Sequence, residues 1–538
     1  MLDFASVWEH VTDTVPGYDA LVYGRRRITY REFDDGAARL ASALAKAGVG
    51  EGAKVALYLH NCPEYLIAQY GAFKHRAVPV NVNYRYLDEE LVYLIENSDA
   101  EALVFHSSLA PCVERVRTKL SALRILIEVD DDGSHLEGAW RFDELLAAHE
   151  PQARKARSPE DLYMLYTGGT TGMPKGVMFH QGEFIEKLFV GAVVLGVVNA
   201  VPHDATSLRA VLDELTETGR VVSVTCCPLM HGTGMWIGAM PALMTGGTVV
   251  LLESRPFDAD EVWRLVERER ATRIVIVGDP FARPLLRALR AREDQGRPVD
   301  TSSVEHVLSS GAIWSAEIKD QLRSRMTAVL SDSLGSTEGL GFGASRASHT
   351  RGAATAHFAL TPETKVVDDE GRSVEPGSGV AGVLASRSAA FGYYKDPEKT
   401  ARTFVMIDGE RYVLTGDWAT VDADGAITLL GRGSMTVNTG GEKVFAEEVE
   451  EAIKRHPLVE DCLVVGVADE RFGQRVVAVI ASTAPPAPSR EEIGEFLRPV
   501  LAHYKIPKDV VVGEFVQRAP NGKADYAWAL RRAMAREG

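Results

Sequence analysis

The sequence predicts an α/β fold. A large N-terminal domain of two parallel-sheet lobes plus a small β-barrel-like subdomain is expected over residues 1–432, followed by a small mobile α+β C-terminal domain over 433–538. Three observations carry this prediction. Short apolar runs alternate with helical patterns from about Val55 to Phe105, the strand–helix–strand rhythm of a parallel sheet with helices on its faces. Thr248–Leu252 and Arg273–Val277 have the short continuous apolar character of strands buried on both faces. Beyond Ala353 the pattern turns strand-rich, punctuated by Glu370-Gly371, Asp408-Gly409 and Asp424-Gly425.

Taken in order, Thr29-Tyr30-Arg31-Glu32 is a capping box opening a helix to about Ala47, with Gly48 as its stop. Val55–Leu59 reads as a strand, Pro63–Lys74 as a helix and Val78–Val82 as a second strand. Leu87, Leu91, Leu94 and Ile95 share one helical face, and Ala102–Phe105 is the next strand. Leu162–Tyr166 is a buried strand. The apolar run from about Leu188 to Val201 is too short to span a bilayer and reads as a buried helix. A boundary falls near Gly431-Arg432-Gly433-Ser434. After it come a helix (447–455), strands at 462–467 and 476–481, the linker Ala484-Pro485-Pro486-Ala487-Pro488 and a helix capped by Ser489.

At 538 residues the chain exceeds one core. Its 46% hydrophobic and 25% charged residues are those of an ordinary globular protein. The net charge of −16 argues against nucleic acid or anionic membrane as the main partner, so an anionic ligand must be drawn in by local cations. The N-terminus lacks the pattern of a secretory signal, and Cys62, Cys112, Cys226, Cys227 and Cys462 show no metal-ligand spacing. These features lead us to expect a cytoplasmic protein with reduced core cysteines. Assembly as a homodimer is left open.

After the strand 162–166, the segment Thr167 to Gly176 gathers four glycines, three threonines, Pro174 and Lys175. Glycines let backbone N–H groups converge on an anion, threonine hydroxyls add donors, and lysine supplies a point charge. The same composition suits a mobile surface loop. A Walker loop is excluded because Pro174 precedes Lys175 and Gly176 follows it, where that motif needs Gly-Lys-Ser/Thr.

The stretch Tyr166-Thr167-Gly168-Gly169-Thr170-Thr171-Gly172-Met173-Pro174-Lys175-Gly176 resembles the phosphate-binding signature of the adenylate-forming enzymes: acyl-CoA synthetases, luciferases and peptide-synthetase adenylation domains. Gly168 stands where that family carries Ser or Thr, which removes one hydroxyl donor. Further segments resemble the family's motifs in order. Ser310-Gly311-Ala312 is similar to its adenine-edge segment, although a plain tight turn accounts for it equally well. Ser333-Leu334-Gly335-Ser336-Thr337-Glu338 is similar to its adenine and Mg²⁺ loop, with Leu334 in place of the usual aromatic. By that resemblance Glu338 and Thr167 hold Mg²⁺, as hard oxygen ligands suit. A carboxylate can accept two hydrogen bonds from a vicinal diol, which suits Asp417, in Tyr412–Asp417, to the ribose hydroxyls. Arg432 matches the residue that reaches ribose or α-phosphate.

By the same resemblance Ser434 stands at the hinge position, where the family usually carries Asp or Lys. Gly440, Gly441 and Lys443 match the turn that lines a CoA tunnel, with Ala446 where proline is usual. Lys523, in Ala519-Pro520-Asn521-Gly522-Lys523, matches the catalytic lysine, although the arginine three positions on is Tyr526. His231 and Gly234 lie in a segment similar to the acyl pocket, where a lone histidine is as often a satisfied core residue. No Asp or Glu occurs between Cys226 and Gly247, which favours an uncharged acyl tail, since a buried ammonium would lack a partner.

The pattern looks closest to the fatty-acyl and steroid-side-chain CoA ligases of actinobacteria. It implies ATP, Mg²⁺ and CoA acting on a hydrophobic carboxylic acid, with Lys175, Glu338 and Lys523 catalytic. An acyl-AMP ligase serving a carrier protein and a luciferase-like oxygenase would share the nucleotide motifs. A non-catalytic nucleotide sensor would not need Thr167, Lys175, Glu338 and Lys523 together.

Overall fold

The computed structural model describes residues 2–167, 173–218, 220–348, 352–439, 442–469, 473–520 and 522–535. The first lobe is an all-parallel sheet in the order Val78–Asn81, Lys54–Tyr58, Ala100–His106, Ile125–Val129 and Trp140–Arg141. The helix Tyr30–Lys46 that packs beside it opens with the expected capping box: the Glu32 N–H donates to Thr29 Oγ1, and the Thr29 N–H donates to Glu32 Oε2. Leu91, Leu94 and Ile95 are buried on the helix Asp88–Ser98. Leu87 departs from its expected place on that face. It precedes the first turn and is 67% exposed.

The second lobe is built on the parallel strands Asp19–Tyr23, Thr248–Leu251, Val222–Thr225, Arg273–Ile276, His306–Ser310 and Val329–Ser336. Asp19–Tyr23, far away in sequence, lies at the side next to the edge strand Arg26–Thr29. The β-barrel-like subdomain expected from the turn pairs does not form a closed barrel among the described residues. Its strands instead extend the second lobe antiparallel through Leu340–Ala347, His357–Leu360, Ile427–Arg432, Glu410–Val421, Ala381–Ser386 and Thr364–Val367. The hairpin from Val329–Ser336 into Leu340–Ala347 continues the pairing outward, so this segment joins the sheet instead of curling on itself.

The helix expected at 188–201 is displaced. It spans Gln181–Val194, with Phe184, Ile185 and Phe189 buried but Val190 and Val194 exposed. Composition alone overstated its burial. An aromatic cluster fixes the lobes to one another: Phe4 stacks on Phe73 at 4.8 Å, Trp8 meets Tyr70 edge-on at 4.9 Å, and Phe184 meets Tyr163 at 5.0 Å. Tyr163 lies on the strand that leads into the Gly/Thr-rich loop, and its hydroxyl accepts the Trp236 indole N–H at 2.8 Å. The aromatic core therefore holds that strand and the segment around His231 together.

Residues 436–513 form a separate mixed sheet (Glu442–Phe445, Thr436–Thr439, Gly473–Ser482, Val459–Asp469, Asp509–Gly513) with its own cores around Val449, Ile453 and Ile480 and around Leu463 and Val479. The capped helix appears at Arg490–Leu497 with its Ser489–Glu492 box. All five cysteines are buried thiols. Among the described residues no helix is long and apolar enough to cross a membrane.

Candidate active site

The Gly/Thr-rich segment is the connection of a hairpin. Leu162–Thr167 pairs antiparallel with Lys175–His180, and Thr167 is opposite Lys175. Gly168, Gly169, Thr170, Thr171 and Gly172 lie outside the described residues. Asn81, at the carboxyl end of its first-lobe strand, clamps the hairpin. Its Oδ1 accepts the Tyr166 N–H at 2.7 Å, and its amide donates to Tyr166 O and Met230 O at 2.8 and 2.7 Å. Asn61 ties the same neighbourhood to Cys227 O and the Leu229 N–H. Sequence reasoning missed both asparagines. Their only signal was a polar residue just past an apolar strand, where parallel sheets place ligand sites.

The Lys175 ammonium pairs with Asp396 at 2.7 Å, and Lys175 holds the Asp396 carboxyl below its ordinary pKa. Asp396 follows the strand Ala390–Tyr393, which pairs with Lys175–His180.

On the second lobe, Ser310 pairs with Ser333, and Ser310 Oγ donates to Ser333 O at 2.8 Å. Gly311 adopts φ +94° at the strand end, and Ala312 packs against the second-lobe core. Thr233 Oγ1 donates to Ser310 O at 3.3 Å, tying the His231 segment to this edge. Leu334 packs against a cluster containing Phe342 and Phe358. Gly335 and Ser336 pair with Gly341 and Leu340, so Thr337-Glu338-Gly339 forms the hairpin tip, where Ser336 Oγ accepts the Gly339 N–H. Beneath it the buried pair Lys319–Asp332 spans 3.1 Å. Burial raises the Asp332 carboxyl to about 6, against the pull of Lys319.

Tyr393 donates its hydroxyl to Glu338 Oε1 at 2.7 Å, which orients the carboxylate. Glu338 carries carboxylate oxygens and Thr167 a hydroxyl, hard-oxygen ligand types of the kind Mg²⁺ takes.

Asp417 and Arg432 are cross-strand partners, with Arg432 Nε 3.2 Å from Asp417 Oδ1 and Asp417 buried. Asp417 raises the Arg432 pKa against the effect of burial. Facing this pair is Lys523, delivered by the C-terminal segment. Gly522, at φ +73°, lies so close to the second lobe that an added Cβ would stand 3.2 Å from Val277 Cγ1 and 3.4 Å from Pro280 Cβ. Lys523 is solvent-exposed, and its surroundings still desolvate its ammonium in part. This desolvation and then Arg432 lower its pKa, while Glu338 and Asp417 raise it.

A further residue that the sequence did not reveal holds this loop. Arg518 donates to both Asp461 oxygens at 2.6 and 2.7 Å and to Gly522 O at 3.1 Å. Only the distant Asp461 gives Arg518 its meaning, so no local motif could expose it.

The His231 imidazole is half-buried with Nε2 unpartnered. Burial and then Lys523 lower its pKa to about 3, so it is neutral. The helix after it, Thr233–Ala239, is a π-helix, a form that concentrates at functional sites. Gly234 is buried, and an added Cβ there would collide with Pro228 O, so the residue permits close packing of that turn.

Ser434 falls in the short 3₁₀ turn Gly433–Met435 that joins the two sheets, and its side chain lies outside the described residues. Gly440 and Gly441 lie outside them as well, as does the side chain of Lys443, whose backbone is in the strand Glu442–Phe445.

Comparison with known proteins gives concordant matches. The family model "AMP-binding enzyme" matches residues 8–394, and "AMP-binding enzyme C-terminal domain" matches residues 448–523. A medium/long-chain-fatty-acid–CoA/3-oxocholest-4-en-26-oate–CoA ligase of Mycobacterium marinum is 39% identical, covering 99% of this chain and 97% of the relative. The 3-oxocholest-4-en-26-oate–CoA ligase of Rhodococcus rhodochrous is 38% identical over 98% of this chain and 95% of its own. Among solved structures, an anthranilate CoA ligase in complex with anthranoyl-AMP superposes with a TM-score of 0.85 at 22% identity, covering 100% of this chain and 98% of the other.

Proposed function

Because the chain belongs to the AMP-binding enzyme family, we propose that it is an AMP-forming acyl-CoA synthetase acting on a hydrophobic carboxylic acid, a fatty or steroid-side-chain acid, in the cytoplasm. The observation that carries this reading is the convergence of Lys523 from the C-terminal segment on Glu338, Asp417 and Arg432. Relatives 38–39% identical over nearly the whole chain are named as ligases of such acids. The uncharged 226–247 segment matches an apolar tail.

In the first half-reaction the substrate carboxylate attacks the α-phosphorus of ATP, and pyrophosphate leaves. Asp417 accepts hydrogen bonds from the ribose hydroxyls, with Arg432 holding its carboxylate in place and reaching toward the α-phosphate. Lys523 stabilises charge between the attacking carboxylate and the α-phosphate, and Lys175, released from Asp396, stabilises the leaving pyrophosphate. Thr167 and Glu338 would hold Mg²⁺, which would supply charge neutralisation on the phosphates. Ser310, Gly311, Ala312 and Ser333 to Thr337 bound the adenine, and His231 and Gly234 lie on the acyl side.

In the second half-reaction the thiol of CoA displaces AMP to give the thioester. The unit 433–538 rotates at Ser434, withdrawing Lys523 and bringing Gly440, Gly441 and Lys443 to the CoA tunnel while 1–432 stays fixed.

A panel of carboxylic acids, with pyrophosphate release read with and without CoA and products read by mass, tests this function. Pyrophosphate with acid and ATP alone, and a CoA thioester once CoA is added, are expected. Thioester formed only on a carrier protein, or no pyrophosphate with any acid, would overturn it.

A further inference from the structure

One cation of this neighbourhood has no role in the scheme above. Lys399 lies in the first turn of the short helix Pro397–Thr403, whose N-cap carboxylate, Asp396, accepts its backbone N–H at 3.0 Å. The Lys399 ammonium stands 4.8 Å above the Tyr393 ring, and the Lys175 ammonium stands 5.9 Å from the same ring. That ring's hydroxyl is the group that orients Glu338. Tyr393 is itself fixed, because its N–H donates to Thr400 Oγ1 and its strand pairs with the one that begins at Lys175.

Two lysines thus converge on one tyrosine, where Asp396 pairs with Lys175 at 2.7 Å and Glu338 accepts the tyrosine hydroxyl. Burial and then the nearby Lys175 lower the Lys399 pKa, against the opposite pull of Glu338 and Asp396. Cation–π contacts recover only a small part of the repulsion between the two lysines. Like charges gathered this closely, beside a carboxylate that suits Mg²⁺, are arranged for a polyanion with charge on several oxygens.

We propose that Lys399 is a second cation of the polyphosphate site, acting with Lys175 on the β- and γ-phosphates of ATP and on the departing pyrophosphate, while Asp396 holds Lys175 until the anion arrives. This rests on the functional reading given above. Lys399 enters the first half-reaction only: it binds and orients the triphosphate and takes part in no bond change.

The test uses the full chain and three variants: Lys399→Met, which keeps the aliphatic stem over Tyr393, Lys399→Arg, which restores a cation, and Lys175→Met as the reference. Calorimetric titration with ATP and with pyrophosphate, each with Mg²⁺, gives affinities that need no acyl substrate, and thermal melting checks folding. Lys399→Met is expected to weaken both ligands about tenfold with melting unchanged, and to raise the KM for ATP similarly. Thioester formation from supplied acyl-AMP should keep its rate, and Lys399→Arg should recover most of the affinity. If Lys175→Met weakens both ligands while Lys399→Met binds them like wild type, the Lys399 assignment is overturned and the functional reading stands. If neither variant changes affinity, the polyphosphate site itself is misplaced and both fall.

Discussion

Replacing Arg518 with Met should disable adenylation while leaving the fold intact. Arg518 joins Asp461 through two short parallel hydrogen bonds, and its third contact fixes the carbonyl of Gly522, the neighbour of Lys523. Burial alone would raise the Asp461 carboxyl, yet Arg518 holds it below its ordinary pKa. Removing one partner of a buried ion pair costs about 3–5 kcal/mol. Asp461 still accepts the Cys462 N–H at 2.8 Å and its side chain is 24% exposed, so about 2–3 kcal/mol is the expected loss.

That loss falls on the turn Arg518–Ala524, whose bridge and Ala519–Lys523 hydrogen bond otherwise persist. A displacement of Lys523 by about 1 Å suffices for a rate loss of about 100-fold. ATP–pyrophosphate exchange should therefore fall by about that factor, while thioester formation from supplied acyl-AMP changes less than about threefold. Asp461→Asn should give a smaller loss in the same step, and the double variant should be non-additive. Wild-type exchange in Arg518→Met, or equal loss in both half-reactions of the folded variant, would refute the positioning role.

Three other outcomes are expected. Glu338→Gln should cost about 100-fold or more in turnover and flatten the Mg²⁺ dependence of the residual rate, and near-wild-type turnover at saturating Mg²⁺ would exclude it as a ligand. Ser434→Pro should let acyl-AMP form in a stoichiometric burst and then stall thioester release, because proline limits φ at the turn, whereas Ser434→Ala should be nearly silent. If proline blocks the burst in a folded variant, the hinge lies elsewhere. Burial, then Glu450 and Asp417, raise the half-buried Glu447 carboxyl to about 8 where it lies against Gly431. An acid raised in one orientation disfavours that orientation as pH rises from the ordinary value, 4.5, to about 8. The docked orientation should therefore loosen across this window in wild type and not in Glu447→Gln, as scattering or a distance probe between the two units would read. An identical pH response in both would remove Glu447 from the switch.

The segments proposed for this site stand out in the sequence because each is local. The Gly/Thr-rich turn, the Glu338 tip and the Gly522-Lys523 turn each declare themselves within a few residues, and the strands that present them are short and continuously apolar. The strands of the β-barrel-like subdomain join the second lobe's sheet, which turn pairs could not show, because they specify hairpins and say nothing about which edge the outermost strand joins. The helix at 188–201 failed because apolar composition does not reveal that Val190 and Val194 face outward. Asn81, Arg518 and Lys399 escaped for a different reason. Each acts on a partner distant in sequence or brought near by strand pairing: Asn81 on Tyr166 and Met230, Arg518 on Asp461, and Lys399 beside Lys175 over a shared tyrosine.

The division of labour between the half-reactions turns on Lys523, and its partial reactions measure that most directly. In a folded Lys523→Ala variant given acid, ATP and Mg²⁺, acyl-AMP and pyrophosphate formation should fall by at least about 100-fold. The same variant given synthetic acyl-AMP and CoA should make thioester at nearly the wild-type rate. Equal loss in both reactions, or adenylation at the wild-type rate, would contradict the assignment of the docked lysine to the first step.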